Sequence, residues 1–242
     1  MKLSMVVPCY NEADGAAALV ARLAATREML GPAWDWETIC VDDGSRDETS
    51  ARLESLAAGR LPLRLVRHAR NQGLGAALRT GYAHATGDVI ATADSDCTYD
   101  PLEIPSMLKL LDAGFDVVVA SAHHPEGRVE NVPAARLLLS RGASRLYRLV
   151  LGCDIYTYTG LLRVYRAEVI HTVAPSVRSH DFLAVTEILV GALLRGYRVA
   201  EHPTVLRART LGRSKAVIPR VIGDHVAFLA GLVRARARVP RR

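Results

Sequence analysis

The chain has 242 residues, 50% hydrophobic, 23% charged and 5% aromatic, with a formal net charge of +6. That balance suits a globular domain with a sizeable core and excludes a disordered or fibrous chain. Four scattered cysteines, Cys9, Cys40, Cys97 and Cys153, lack the paired spacing of a disulfide framework or zinc knuckle, so a reducing cytoplasm is the simplest setting.

In chain order, "LSMVVP" reads as a first strand. Pro8, Asn11 and Glu12 follow where a signal peptide would stay apolar, so no cleaved leader is expected. Helix-like and strand-like runs then alternate: "AAALVARLAATREML", "ETICVDD", "ETSARLESLAA", "LRLVRH", "GLGAALRTGYAHA", "DVIATAD", "LEIPSMLKLLDAG" and "DVVVAS". This alternation predicts an α/β fold, a mostly parallel sheet sandwiched by helices. Beyond residue 122 the pattern loosens. "HHPEGRVENVP" reads as a loop, residues 134–151 as a helix, and "GLLRVYR" and "YRVAEHPTVLRAR" as strands. No window approaches the roughly 18 uninterrupted apolar residues that span a bilayer.

In such sheets ligands bind beyond the carboxyl ends of the strands, here residues 8–12, 42–45 and 94–96. In "DVIATADSDCTYDP", Asp94 and Asp96 are two apart on an extended segment and point the same way. At a strand end both can face one hard cation, Mg2+ or Mn2+, shared with water and substrate phosphates; the alternative is a solvated turn that caps a helix. "VPCYNEADG" supplies either a nucleotide-binding turn or a helix cap, and "VDDGSRDET" a carboxylate for a base or ribose, with Asp47 as a cap. Gly73-x-Gly75 lacks the third glycine of a dinucleotide fingerprint and reads as a tight turn into a helix.

Five segments, "VVPCYNE", "VDDGSRDET", "NQGLGAALRTGY", "GDVIATADSDCTYDP" and "RARTLGRSK", resemble in order the motifs of family 2 glycosyltransferases with the Rossmann-like GT-A fold. The resemblance is strongest to the polyprenyl-phosphate glycosyltransferases of the dolichol-phosphate mannose synthase type, and it covers about residues 1–215. It implies a transferase domain over 1–215, with a nucleotide-sugar half (1–122) and an acceptor half (123–215), followed by a C-terminal amphipathic helix and basic tail over 216–242. It implies a donor pocket of Pro8, Tyr10, Asn11, Glu12, Asp42, Asp94 and Ser95, and a D-x-D metal pair in which Asp96 is the principal ligand. Arg136 and Ser140 would receive an acceptor phosphate, and Arg209 and Lys215 would close over the phosphates.

The implied reaction is inverting, metal-dependent transfer of a hexose from a nucleotide sugar to a polyprenyl phosphate, with GDP-mannose as the first expectation for the donor. The alternative is a UDP-sugar with a soluble hydroxyl acceptor. A phosphate acceptor is already an anion near neutral pH, whereas a hydroxyl needs a general base, for which His180, Asp181 and Glu187 in "SHDFLAVTE" are candidates and Asp181 the one chosen. Asp181 as a cap, with Glu187 in a structural pair, is the competing reading. Three departures stand out. "ASAHH" puts Ala122, His123 and His124 where the family commonly has an arginine, Thr98 replaces a usual glutamine, and "TYTGLLRVYR" keeps only Thr159 and Arg163 of a longer pattern.

Rival classes fit less well. A nucleotidyltransferase needs a basic, glycine-rich loop after the first strand, and "VPCYNEADG" has no Lys or Arg. A nucleic-acid partner is not expected, because no reader motif accompanies the basic tail of Arg234, Arg236, Arg238, Arg241 and Arg242. That tail follows a helix of amphipathic spacing, which reads either as a peripheral contact with the cytoplasmic membrane face or as a core-packed helix with a solvated end.

Overall fold

A computed structural model describes residues 1–209 and 218–237, except the side chains of residues 135, 136, 236 and 237. The first half alternates β1 (Lys2–Cys9), α1 (Ala16–Leu30), β2 (Asp35–Asp42), α2 (Thr49–Ala57), β3 (Leu63–Arg67), α3 (Leu74–His84), β4 (Val89–Thr92), α4 (Ile104–Asp112) and β5 (Val117–Ser121). The second half runs β6 (Arg128–Glu130), α5 (Ala134–Leu151), β7 (Arg163–Arg166), α6 (Ala167–Val173), α7 (Leu183–Leu194), β8 (Val199–Pro203), β9 (Val205–Arg207) and α8 (Ile218–Ala237). Seven strands form one sheet in the order β3-β2-β1-β4-β7-β5-β8. All its neighbours are parallel except β7, which runs antiparallel between β4 and β5.

Alternation along β1 explains the layering, because successive side chains leave a strand on opposite faces. Leu3, Met5 and Val7 pack with Leu19 and Leu23 of α1 and Met107 and Leu108 of α4. Val6 turns the other way and joins Ile39, Val41, Ala77 and Leu78 with Ile188 and Leu189 of α7. The sheet is therefore covered on both sides, as the run of apolar residues in its strands requires.

One expectation is corrected. "HHPEGRVENVP" is not wholly a loop, since β6 lies within it and pairs in parallel with β9 in a separate two-stranded sheet. A three-residue strand has no periodicity of its own; pairing with a segment far along the chain makes it one.

Two contacts brace the sheet edge where the strand ends meet. Arg163 of β7 is fully buried, and its guanidinium donates to the carbonyls of Tyr158 and Val185. A buried cation is tolerated only when so bonded, and these bonds fasten the loop before β7 to α7. Gly73, at φ +94°, opens α3 so close to a neighbouring loop that an added Cβ would lie 2.3 Å from the carbonyl oxygen of His180. Gly75 N–H donates to that same carbonyl at 2.8 Å. The Gly73→Ala substitution is expected to cost about 1–3 kcal/mol, because it combines left-handed strain with a backbone clash. Urea unfolding measures it, and an unchanged midpoint would contradict this role.

Candidate active site

The turns after β1, β2 and β3 are stitched to one another. Asn11 sits at φ 51°, a left-handed conformation that asparagine tolerates. Its N–H donates to Ser45 Oγ at 2.9 Å, and its Oδ1 accepts from Arg46 N–H at 2.8 Å. Glu12 N–H donates to Thr49 Oγ1 at 2.8 Å and Ala13 N–H to Asp47 Oδ2 at 3.2 Å. Asp42 is fully buried. It accepts from Ser45 N–H at 2.8 Å and from the Ser50 hydroxyl, with Arg67 Nε at 3.5 Å. Both of its oxygens are thus engaged within the protein, and Asp42 shapes the turn. Asp43 gathers the next one, accepting from the amides of Gln72 and Gly73 at 2.8 Å each and facing His68 Nδ1 at 2.7 Å.

Beside these turns the chain leaving β4 runs through Ala93 into Asp94, Ser95 and Asp96. The chain reverses at Cys97, φ 51°, and Thr98 N–H closes onto Asp96 Oδ1 at 3.0 Å. Burial first, and then the negative charges of Asp96, Asp100 and Asp94, push the Cys97 thiol up to about 12. Arg209 answers those charges. Its Nε lies 2.8 Å from Asp96 Oδ2 and its Nη1 3.0 Å from Glu12 Oε1. Burial works against its charge, but Asp96 and Glu12 outweigh that and raise its pKa. The small second sheet delivers it: Arg207 N–H donates to Thr98 O at 2.9 Å and Ala208 N–H to Glu130 O at 3.0 Å.

Asp94 and Asp96 offer two hard carboxylate donors. Among the described residues no three His, Cys, Asp or Glu side chains converge as a metal cluster. A cation held by two carboxylates, with water and phosphate oxygens completing its shell, is the usual arrangement for Mg2+, so the residues fit such an ion. Thr98, where a side-chain amide was expected, contributes its N–H to orienting Asp96 instead.

On the other side of β5 lies a second polar group. Ser121 Oγ is 2.7 Å from Thr157 Oγ1. His123 Nε2 is 3.0 Å from Ser140 Oγ on α5, which is 2.8 Å from Thr159 Oγ1. His123 Nδ1 is buried without a hydrogen-bond partner among the described residues. Burial and the charge of Arg141 hold the His123 pKa below the ordinary histidine value. Glu201 on β8 fixes the facing loop by accepting from the amides of Tyr156 and Thr157 at 2.8 Å each. A cavity of about 600 Å³ adjoins this group, lined by His123, Arg141, Arg145, Arg148, Asp154 and Tyr156 among others. Arg148 donates to Asp154 at 2.8 Å and lies 4.2 Å over the Tyr156 ring.

The remaining expected residues fall as follows. Pro8 pairs with Val41 along β1, and Tyr10 is half-buried in the turn beyond it. Ser95 is buried and Arg136 lies in α5, its side chain outside the described set. Lys215 lies outside the described residues. Asp181 precedes α7 and accepts from Phe182 N–H at 3.1 Å, while His180 Nδ1 faces Arg79 Nη2 at 3.2 Å. Glu187 of α7, a candidate base, is instead committed to the loop before its helix, accepting from the amides of Arg178 and Ser179 at 3.0 Å each and from the Ser179 hydroxyl at 2.9 Å. Sequence reasoning missed His68 and Glu201, whose partners come from distant turns.

A sequence profile described as glycosyl transferase family 2 matches residues 4–173. The chain belongs to glycosyl transferase family 2. Among the relatives of this family 2 chain, a dolichol-phosphate mannosyltransferase of Pyrococcus furiosus is 30% identical over 243 residues, covering 100% of this chain and 66% of that one. An undecaprenyl-phosphate 4-deoxy-4-formamido-L-arabinose transferase of Enterobacter sp. is 32% identical, covering 91% of this chain and 64% of that one. The chain thus spans just under two-thirds of the length of these relatives. Glucosyl-3-phosphoglycerate synthase of Mycobacterium tuberculosis, crystallised with Mn2+, UDP and phosphoglyceric acid, superposes with a TM-score of 0.70 at 18% identity, covering 99% of this chain and 80% of that one. The same enzyme with Mg2+ and UDP gives 0.68 at 19% identity, with 99% and 80% covered. At that identity the likeness establishes the shared GT-A fold.

The stitched turns generate a pH prediction. Slight burial acts to raise the Asp47 pKa, but hydrogen bonds from the Thr49 hydroxyl and from the amides of Ala13 and Thr49 outweigh it and lower the value. Its contribution to stability is therefore full above the unfolded-state pKa of about 4 and lost as pH falls through the lowered folded value. Thermal melts should show Asp47→Asn less stable than the parent at pH 7, with the gap shrinking toward pH 3. A gap that widens on acidification would contradict the assignment.

Proposed function

We propose that the protein transfers a hexose from a nucleotide sugar to the phosphate of a polyprenyl phosphate, with Asp94, Asp96 and Arg209 at the donor diphosphate and Ser140 and His123 at the acceptor. The observation that carries the lipid reading is α5. One side of this helix puts Ser140 against His123 and Thr159, and a neighbouring side offers Arg141 and Arg145 to the basic cavity. Its outward side leaves Leu138 74%, Leu146 50% and Leu149 72% exposed. A phosphate ligand with an apolar tail matches that pairing of anion-binding groups with exposed leucines. The relatives named for dolichol phosphate and undecaprenyl phosphate point the same way.

α8 adds to the surface. It packs on α5 through Tyr147, whose hydroxyl lies 2.9 Å from His225 Nδ1, and it exposes Ile218, Ile222, Val226 and Val233 beside Arg220 and Arg234. No described helix is long and apolar enough to cross a membrane. A basic, partly apolar face of this kind suits contact with an anionic membrane surface.

In the reaction an acceptor phosphate oxygen forms a bond to the anomeric carbon as the bond from that carbon to the nucleoside diphosphate breaks. Mg2+ or Mn2+, held by Asp94 and Asp96, would supply charge for the departing diphosphate. Arg209 adds a guanidinium already fixed at the same strand ends, which is preorganised electrostatic stabilisation. The β1, β2 and β3 turns form the nucleotide pocket around Tyr10, Asn11 and Glu12. His123 meets the acceptor through its ring, with Ser140 and Thr159 forming a hydrogen-bond chain behind it. A phosphate nucleophile needs no base; with a hydroxyl acceptor, Asp181 would serve. Mannose from GDP-mannose is the first donor to try, followed by UDP-sugars.

The test is a matrix of GDP- and UDP-hexoses against polyprenyl phosphate with Mg2+ or Mn2+, scored for glycolipid. Product with at least one donor is expected, and Asp96→Asn should lower it at least a hundredfold, on the order of removing one main transition-state contact. Turnover only on a soluble hydroxyl acceptor, abolished by Asp181→Asn, would replace the lipid reading. Replacing the imidazole by a permanent cation, His123→Arg, should lower KM for the lipid phosphate with little change in kcat. A raised KM would contradict the place given to His123.

A further inference from the structure

Arg209 lies between two carboxylates contributed by different strand ends, and the side chains of Arg209, Glu12 and Asp96 are only 17%, 8% and 10% exposed. Both oxygens of Asp96 are committed, Oδ1 to Thr98 N–H at 3.0 Å and Oδ2 to Arg209 Nε at 2.8 Å. A divalent cation that takes Asp96 as a ligand competes with a guanidinium for the same carboxylate, and at that range it repels the guanidinium strongly in so shielded a place. Arg209 then loses a charge-assisted hydrogen bond and keeps only Glu12 of the pair. A diphosphate arriving with the cation changes the balance, since its oxygens match the planar fork of arginine.

We propose that Arg209 is the resident counter-ion of Asp96 and couples the cation to the donor, so that a divalent ion binds weakly by itself and tightly together with a nucleoside diphosphate. This rests on the function proposed above and adds to it an order of assembly. Arg209 holds the acidic strand ends together before the donor arrives and passes to the diphosphate afterwards, while Glu12 keeps it within reach. Coupling of this kind is reciprocal: whatever factor the nucleotide adds to cation affinity, the cation adds to nucleotide affinity.

The experiment is a Mn2+ titration of the full chain, following the electron paramagnetic resonance signal of free Mn2+ with and without GDP or UDP. For the parent protein, nucleotide should tighten Mn2+ binding by roughly tenfold or more, within the usual range of coupling between two sites. Arg209→Gln and Arg209→Met should bind Mn2+ alone on the order of tenfold more tightly than the parent and lose most of the nucleotide effect. Mn2+ alone binding no more tightly to either variant than to the parent would overturn the proposal. If neither variant folds by circular dichroism, the parent still decides, because equal Mn2+ affinity with and without both nucleotides overturns it as well. The metal reading itself fails in a separate way, when Asp96→Asn binds Mn2+ as the parent does in the presence of nucleotide.

Discussion

Glu12, Asp94 and Asp96 bring negative charge to one edge of the sheet, and the structure around them depends on how that charge is met. Arg209 meets it from just beyond β9, with its fork on Glu12 and Asp96. The cost of gathering carboxylates at half-buried strand ends is visible at Cys97, whose thiol they help hold in the protonated state. That cost makes sense where a cation and a diphosphate are to be received, and it explains why a small sheet of β6 and β9 exists. The sheet pins the segment before Arg209 to the D-x-D turn through Thr98.

The rest of the edge is built to hold these groups still. Asp42 and Asp43 spend their carboxylates on neighbouring turns, and Gly73 lets α3 approach the loop before α7. Arg163 fastens the loop before β7 to α7 from within the core. Rigid support of this kind lets a few side chains act at fixed distances without reorganising. On the other side of β5 Glu201 fixes a loop, and Thr159, Ser140 and His123 form a chain ending in a ring nitrogen without a partner among the described residues.

Much of this was legible in the sequence, for physical reasons. The helix over 134–151 and the first five strands carry strong periodicity, and both D-x-D carboxylates were conspicuous because they end an apolar run. What escaped was long-range. β6 is too short to have a pattern, and β7 gives no sign that it inserts antiparallel between β4 and β5. The engagement of Asp42 inside the protein, the commitment of Glu187 to the loop before its helix and the role of Glu201 depend on turns that only folding brings together. Arg209 was singled out by motif, but its bridge to Glu12 joins the segment after β9 to the turn after β1, beyond the reach of any local pattern.

The D-x-D edge is proposed to seat a divalent cation and a diphosphate under Arg209. The most direct measurement is a crystal of the protein grown with a nucleoside diphosphate and Mn2+, with data collected at the manganese absorption edge. One anomalous peak is expected at the carboxylates of Asp94 and Asp96, with Arg209 turned from Asp96 onto the diphosphate. A peak elsewhere, or a diphosphate bound away from this edge with the Arg209–Asp96 pair intact, would contradict it.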